Sequence, residues 1–284
     1  MLGFGRLEVW VENGTTGMLW EAEMETYVKH NSKAWDAEVS RGNIWTVPVD
    51  SESVVKARQG KPEMYLTPTA AVPLHWLDDL ADKDVLCLAG SGGQQGPLAA
   101  AMGAHVTVFD NSAAQLEQDR KVAAREELDI RTIQGDMRNL AIFPDESFDM
   151  IIHPVSNCFV DDVEAVWREA YRVLRHGGVL LAGVTNPVMY LFDEKAEARG
   201  KLKVKYTIPY SDMTSLSRKE LDKKIKALDT MEFSHTLDAQ LGGLCRAGFA
   251  IVGFYSDASR FELTDSFIHD CYLAIRAIKV SKDF

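Results

Sequence analysis

The spacing of apolar and polar positions changes character at Val85. From there, short apolar runs alternate with amphipathic stretches. VLCLA (85–89), VTVFD (106–110), IRTIQGD (130–136), FDMIIHP (148–154) and VLLAGVT (179–185) read as five strands. Between them the pattern predicts helices near 95–102, 112–127 and 161–174. The last puts Val163, Val166, Trp167, Ala170, Tyr171 and Leu174 on one face, and His176-Gly177-Gly178 marks its end. Strands alternating with helices imply βαβ units: an α/β fold with a parallel sheet, right-handed crossovers and helices on both faces. The rhythm stops over 186–232 and resumes with a helix near 236–247, which carries Leu237, Leu241 and Leu244 and ends at Gly248. AIVGFYS (250–256) and CYLAIRAIKV (271–280) are the final strands. About 15 residues separate them, too few for a crossover helix, so they are expected to pair antiparallel across a long loop.

Upstream of Val85 the pattern is less regular. Leu7, Val9 and Val11 alternate with Glu8 and Glu12 ahead of Asn13-Gly14, a hairpin signal. Trp20, Ala22 and Met24 alternate with Glu21, Glu23 and Glu25, which fits a return strand or an acidic helix equally. Residues 31–80 are aromatic and rich in proline, with short helices expected near 33–40 and 51–58. The chain therefore divides into an N-terminal segment and aromatic cap (1–80) and a main domain (81–284). Within the latter, 186–232 forms an inserted lid that contains a basic helix over Arg218–Lys226.

Composition narrows the partners. With 284 residues and 46% hydrophobic content, the chain supports one large core, or one core with a small cap. A net charge of -11 repels phosphate backbones and anionic membranes. No apolar run approaches the ~18 residues of a membrane span, and the N-terminus lacks the pattern of a signal peptide. The four cysteines are scattered without a C-x-x-C pair, and the seven histidines show no H-E-x-x-H. No disulfide, no bound metal and a cytoplasmic location are expected.

The chemistry concentrates in VLCLAGSGGQQG, residues 85–96. A buried strand ends in Gly90-Ser91-Gly92-Gly93, and Asp110 follows Gly90 by 20 residues at the end of the second strand. A glycine turn followed at that distance by an acid is the signature of a nucleoside held through its ribose hydroxyls. NAD would satisfy it, although G-x-G-x-x-G needs glycine where Gln95 stands. A Walker A loop is excluded, because no G-K-[ST] follows. The glycines could also serve only close strand–helix packing.

With VTVFDNSAAQLEQD, IQGDMRNL, FPDESFDMIIHPVSNCF and EAYRVLRHGGVLLAGVTNP in the same order and spacing, the chain from about residue 60 onward resembles the class I S-adenosylmethionine-dependent methyltransferases of the bacterial small-molecule type. The resemblance implies a Rossmann-like, seven-stranded, mostly parallel sheet whose last strand is antiparallel. It places S-adenosylmethionine across the carboxyl ends of the first, second and fourth strands. Ala89, Gly90, Ser91, Gly92 and Gly93 would then face the methionine part. Asp110 would hold the ribose, with Asn111 and Ser112 beside it, and Asp136 and Met137 would flank the adenine. His153, Pro154 and Val155 would form the floor near the sulfonium. Two departures stand out. Cys87 occupies a position that is commonly acidic, and Ala89 and Ser91 stand where the common D-x-G-x-G-x-G pattern has glycine.

Methyl transfer from a sulfonium is an in-line displacement that asks mainly for alignment and exclusion of water. A general base matters only when the acceptor must lose a proton. By position His153 is the candidate base; a packing or orienting histidine at a strand end fits equally. HPVSN departs from the [DNS]-P-P-[YFW] of enzymes that methylate nucleic-acid bases, so a small-molecule acceptor is expected. Asn157, Asn186 and Tyr190 lie after the fourth and fifth strands, where a substrate approaches, although the asparagines could instead stabilise their loops. Trp35, Trp45 and Tyr65 could cover the cofactor, since aromatic faces attract a sulfonium, or could simply pack. Lys201, Lys203 and Lys205 read as a solvated lid face or as a lure for an anionic substrate. The rival readings are an NAD(P)-dependent oxidoreductase and a non-catalytic S-adenosylmethionine-binding protein.

Overall fold

In the computed structural model, residues 15–77, 80–90 and 92–280 are described, with side chains from Tyr27 onward. The strands are β1 (Asp84–Leu88), β2 (His105–Asp110), β3 (Ile130–Gln134), β4 (Phe148–His153), β5 (Leu174–Thr185), β6 (Phe249–Asp257) and β7 (Tyr272–Lys279). The α-helices are α1 (Thr15–Arg41), α2 (Ser51–Arg58), α3 (Gln95–Ala101), α4 (Ala113–Glu126), α5 (Val163–Val173), α6 (Glu194–Glu197), α7 (Asp212–Ser215), α8 (Arg218–Ala227), α9 (Gly243–Ala247) and α10 (Glu262–Asp265). No described helix is long and apolar enough to cross a membrane.

The apolar runs form strands because both faces of the sheet are covered. Val85 and Cys87 point to one apolar cluster, and Leu86 and Leu88 to the other. Ile152 and Ile151 divide in the same way. One face packs on α5 and α9 around Trp167, which is 0% exposed. The other packs on α3 and α4 through Leu98, Ala99 and Leu116, and also takes Ala57, Met64, Leu66 and Trp76 from the segment before β1.

The sheet order is β3-β2-β1-β4-β5-β7-β6. The first five strands in sequence are parallel, and β7 runs antiparallel between β5 and β6. The chain winds outward from β1 to β3, then returns to β4 on the other side of β1. That reversal opens a crevice at the carboxyl ends of β1 and β4, where ligands of such sheets bind.

Two local expectations change. The acidic stretch at 20–25 belongs to α1, not to a return strand. Glu, Ala and Met are strong helix formers, and the helix is continued by Tyr27, Asn31 and Ala34, buried at helical spacing. The hairpin signal at Leu7 to Gly14 lies outside the described residues. The helix at 163 also stops at Val173, one residue short, because Leu174 already pairs with Phe148 of β4. His176-Gly177-Gly178 is consequently an irregularity inside β5, with Gly177 at φ +75°.

α1 is fixed by polar contacts. The Asn31 side chain donates to the carbonyls of Phe159 (3.2 Å) and Met231 (3.0 Å) and accepts from the Met231 N–H (2.7 Å). Asp36 Oδ1 accepts from the Ser112 hydroxyl (2.6 Å) and the Ala114 N–H (2.9 Å), so α1 supplies a carboxylate to the N-terminus of α4.

Candidate active site

A cavity of about 1280 Å³ lies over the carboxyl ends of the strands. Small-ligand pockets are typically ~300–1,000 Å³, so this one has room for two reactants. Its walls include Ala89, Gly90, Asp110, Asn111, Asp136 and Met137 from the β1–β3 side, and Pro154 and Val155 after β4. Trp35, Trp45 and Tyr65 line it from the N-terminal segment, and Tyr190 from the insertion. These sequence-predicted residues are thereby brought to one space.

Of the other predicted residues, those that are described do not line the cavity. Ser91 lies outside the described residues. Gly92 and Gly93 face α4 and not the cavity. A Cβ on Gly92 would meet Gln115 Oε1 at 2.0 Å, and one on Gly93 would meet Pro48 Cβ at 2.9 Å. Both glycines also hold left-handed backbone, at φ +30° and +79°, so close packing and conformation together call for glycine. Ser112 is buried as the N-cap of α4, accepting from the Gln115 N–H at 3.1 Å. Asn186 holds its own turn, accepting from the Val188 N–H (3.1 Å) and donating to the Asp270 carbonyl (2.8 Å).

The structure brings His153 and Asn157 against each other. His153 is 0% exposed and is not part of the cavity wall. Its Nδ1 lies 2.8 Å from the Leu88 carbonyl and its Nε2 2.7 Å from the Asn157 side-chain amide. The carbonyl can only accept, so Nδ1 carries the proton. Burial lowers the pKa of the ring and keeps it neutral. Neutral Nε2 then needs a donor, which the amide supplies when its NH₂ faces the ring; that also gives a partner to the otherwise unpaired Asn157 Nδ2. His153 therefore ties the end of β1 to the turn after β4, and both nitrogens are engaged. His153→Ala is expected to cost about 1–3 kcal/mol of stability through the orphaned carbonyl and amide. Urea denaturation checks this, and an unchanged midpoint would contradict the clamp.

Ala89 shows what the missing glycine means. It leaves β1 at φ +48°, in the left-handed region, with its N–H donating to the Phe109 carbonyl at 2.7 Å. The backbone of this turn thus takes a conformation that favours glycine, and alanine sits there under strain. Ala89→Gly is expected to raise stability by about 0.5–1 kcal/mol, the relieved strain being partly offset by a freer unfolded chain. A lowered thermal midpoint would contradict this.

Asp110 is half-buried, and one carboxylate oxygen accepts from the Ser112 N–H at 2.8 Å. Burial pushes its pKa up to about 7; the nearby Asp119 and Asp36 add to the rise, and backbone N–H groups oppose it. Such a carboxyl gains from hydroxyl donors. Gly90 completes the cradle, since a Cβ there would come no closer to the protein than 3.8 Å, so nothing on the protein side crowds it. These residues fit the ribose and methionine of S-adenosylmethionine.

Asp136 is not free. Both of its oxygens meet the Arg138 guanidinium, at 2.6–3.2 Å, and Arg138 Nη1 reaches Asp161 at 2.6 Å. Tyr27 of α1 donates its hydroxyl to Asp161 at 2.5 Å, and its ring lies 5.4 Å from the guanidinium. This clamp was missed in sequence; its one local signal is the D-x-R spacing of Asp136 and Arg138. Trp35 packs edge-on against Phe159 at 5.1 Å, while Arg260 covers the ring of Trp45 at 5.2 Å. A second missed group, Glu232 with Tyr210, Asp212 and Lys224, lines the insertion end of the cavity.

Comparison with known proteins agrees with this fold. The family model described as a methyltransferase domain matches residues 86–182. The chain is 48% identical over 257 residues to the uncharacterized methyltransferase YbaJ of Bacillus subtilis, covering 90% of this chain and 100% of that protein. A sterol 24-C-methyltransferase of Gibberella zeae is 32% identical over 104 residues, 36% of this chain and 26% of that one. Among solved structures, an S-adenosylmethionine-dependent methyltransferase from Mesorhizobium loti superposes with a TM-score of 0.55 at 22% identity, over 72% of this chain and 94% of that one. A glycine-turn crevice at the strand ends and similarity over the full length of a named methyltransferase lead to one conclusion: this chain belongs to the class I S-adenosylmethionine-dependent methyltransferases.

Proposed function

We propose that the cavity holds the cofactor at its β1–β3 end and a small-molecule methyl acceptor at its insertion end. The observation that carries this is the continuity of one cavity from Asp110 and Asp136 to Tyr190 and the insertion. In this reading Asp110 accepts from the ribose hydroxyls. The Arg138 fork holds Asp136 still beside the adenine, with Met137 against its face. Ala89 and Gly90 approach the methionine part with bare backbone, and Pro154 and Val155 form the floor near the sulfonium. When bound, the cofactor supplies a methyl group on a positively charged sulfur. The protein's own contribution is alignment and dryness: Trp35 and Tyr65 from residues 1–80, and the lid at 186–232, cover the strand ends.

A small acceptor is supported by the net charge of -11, by HPVSN in place of the base-methylating motif, and by the sterol enzyme among the relatives. The cysteines, all free, suit a reducing cytoplasm. Calorimetric titration with S-adenosylhomocysteine, with NAD as the parallel control, is the test. Micromolar binding of the first alone is expected. Binding of NAD, or of neither, would overturn this use of the cavity.

A further inference from the structure

The insertion end of the cavity carries its own chemistry. It lies three strand positions along the sheet from Asp110, roughly 14 Å at the usual spacing. There Tyr190, in the turn after β5, donates its hydroxyl to Glu232 Oε2 at 2.8 Å. Asp212 of α7 is fully engaged. It accepts from the Tyr210 hydroxyl (2.6 Å) and the Glu232 N–H (2.8 Å), and pairs with Lys224 Nζ at 2.7 Å. Lys224 pairs with Asp212 and also acts on the charge of Glu232, so the two carboxylates share this one cation. Glu232 faces the cavity with Tyr190 as its donor. Around the whole cavity stand eleven carboxylates and five cationic side chains. Tyr190 stacks on Tyr210 at 5.5 Å, and Tyr206 meets Tyr210 at 4.9 Å. Carboxylates and tyrosine rings together attract a cation.

We propose that Glu232, oriented by Tyr190, is the general base for methylation of an amine. This rests on the cavity holding both reactants. The ammonium form of a primary or secondary amine is drawn to this end and gives one proton to Glu232. The freed nitrogen lone pair then forms the new N–C bond, the S–C bond breaks, and its electron pair stays on sulfur. The product leaves as the methylated ammonium, and Glu232 returns its proton to water. A hydroxyl acceptor would make no use of the negative lining. Burial raises the Glu232 pKa, which suits a proton acceptor, while Lys224 and the Tyr190 hydrogen bond pull it back. Asp212 and Glu194 face it from α7 and α6 and push it up again; Cys158 and Tyr272 also stand near it.

The test uses the full chain with matched panels of primary and secondary amines and the corresponding alcohols. Thermal stabilisation by each is measured in saturating S-adenosylhomocysteine, and methylated products are detected in saturating S-adenosylmethionine. Amines are expected to stabilise the protein and become methylated, and alcohols are not. Glu232→Gln keeps an acceptor for Tyr190 and should fold. It is expected to bind S-adenosylhomocysteine as the wild type does but to lose about 10²–10⁴-fold in kcat. It also loses the acid limb of the kcat–pH profile, which Glu232→Asp restores. Methylated alcohols without methylated amines, no methylated amine at all, or an unchanged pH profile in Glu232→Gln would overturn the assignment while S-adenosylhomocysteine still binds. Failure of that binding would instead remove the cofactor reading beneath it.

Discussion

Asp110→Asn is expected to weaken S-adenosylhomocysteine binding about tenfold or more at pH 8 and to abolish its dependence on pH. The first effect follows from losing charged hydrogen bonds to two ribose hydroxyls, worth ~1.5–3 kcal/mol each. The second follows from burial. Without ligand, the Asp110 carboxyl titrates at about 7, and hydroxyl donors favour its ionised form. Binding therefore expels a proton below that value. Affinity in the wild type should be flat above pH 7 and fall toward tenfold per unit below it. The stability effect has the opposite sense. A carboxyl raised above its unfolded value near ~3.9 stabilises the ligand-free fold at low pH, and this contribution is lost as pH rises from there through 7. The ligand-free Asn variant should thus be more stable than the wild type at pH 8 and nearly equal at pH 4. Asp119 is likewise raised to about 7 by burial but lies off the cavity wall. Asp119→Asn should shift the binding limb slightly to lower pH without removing it. Calorimetry between pH 5.5 and 8.5 checks all three proteins; a limb that survives in Asp110→Asn would take Asp110 out of the site.

Arg138→Met is expected to destabilise the protein by about 3–5 kcal/mol, because it leaves two carboxylates without their cation. Arg138 is only 16% exposed at its side chain, and Asp136 and Asp161 are each 24% exposed. Water therefore screens the resulting repulsion poorly. At ~2–4 °C per kcal/mol for a chain of this size, the thermal midpoint should fall by roughly 6–20 °C. Arg138→Lys should recover less than half of the loss, since an ammonium cannot reproduce the fork that grips Asp136 and reaches Asp161 together. Asp161→Asn on its own should cost less, and the double variant should show strong coupling. A midpoint within 2 °C of the wild type in Arg138→Met would show that the clamp carries no weight. The same arginine links stability to the site, because it holds Asp136 on the cavity wall and, through Asp161, the Tyr27 of α1.

Much of this was legible in the residues themselves. Each central strand is a continuous apolar run because both of its faces are covered, and Gly90 and Asp110 are set by a strand-turn-strand geometry that local sequence controls. The short gap between β6 and β7 forced an antiparallel pair. Even the misfit at Ala89 was informative, since its φ of +48° keeps the backbone that glycine would adopt.

Other features needed the folded chain. The Glu-Ala-Met alternation of residues 20–25 suits strand and helix alike, and contacts such as Asn31 to Met231, 200 residues apart, anchor the continuous α1. His153 stood at the expected strand end, yet its role depended on the Leu88 carbonyl and the Asn157 amide, which occupy both nitrogens. Gly92 and Gly93 share the motif of Gly90 but face α4. Glu232 carries no motif, and Tyr190 reaches it across 42 residues. The sequence by itself determined the sheet, its helices and the glycine turn and acid at the strand ends, because those depend on periodicity and on turns of a few residues. Tertiary structure alone decided which buried side chains kept a free polar atom and which carboxylates lined the insertion end of the cavity, because burial and partnership are properties of chains brought together from far apart.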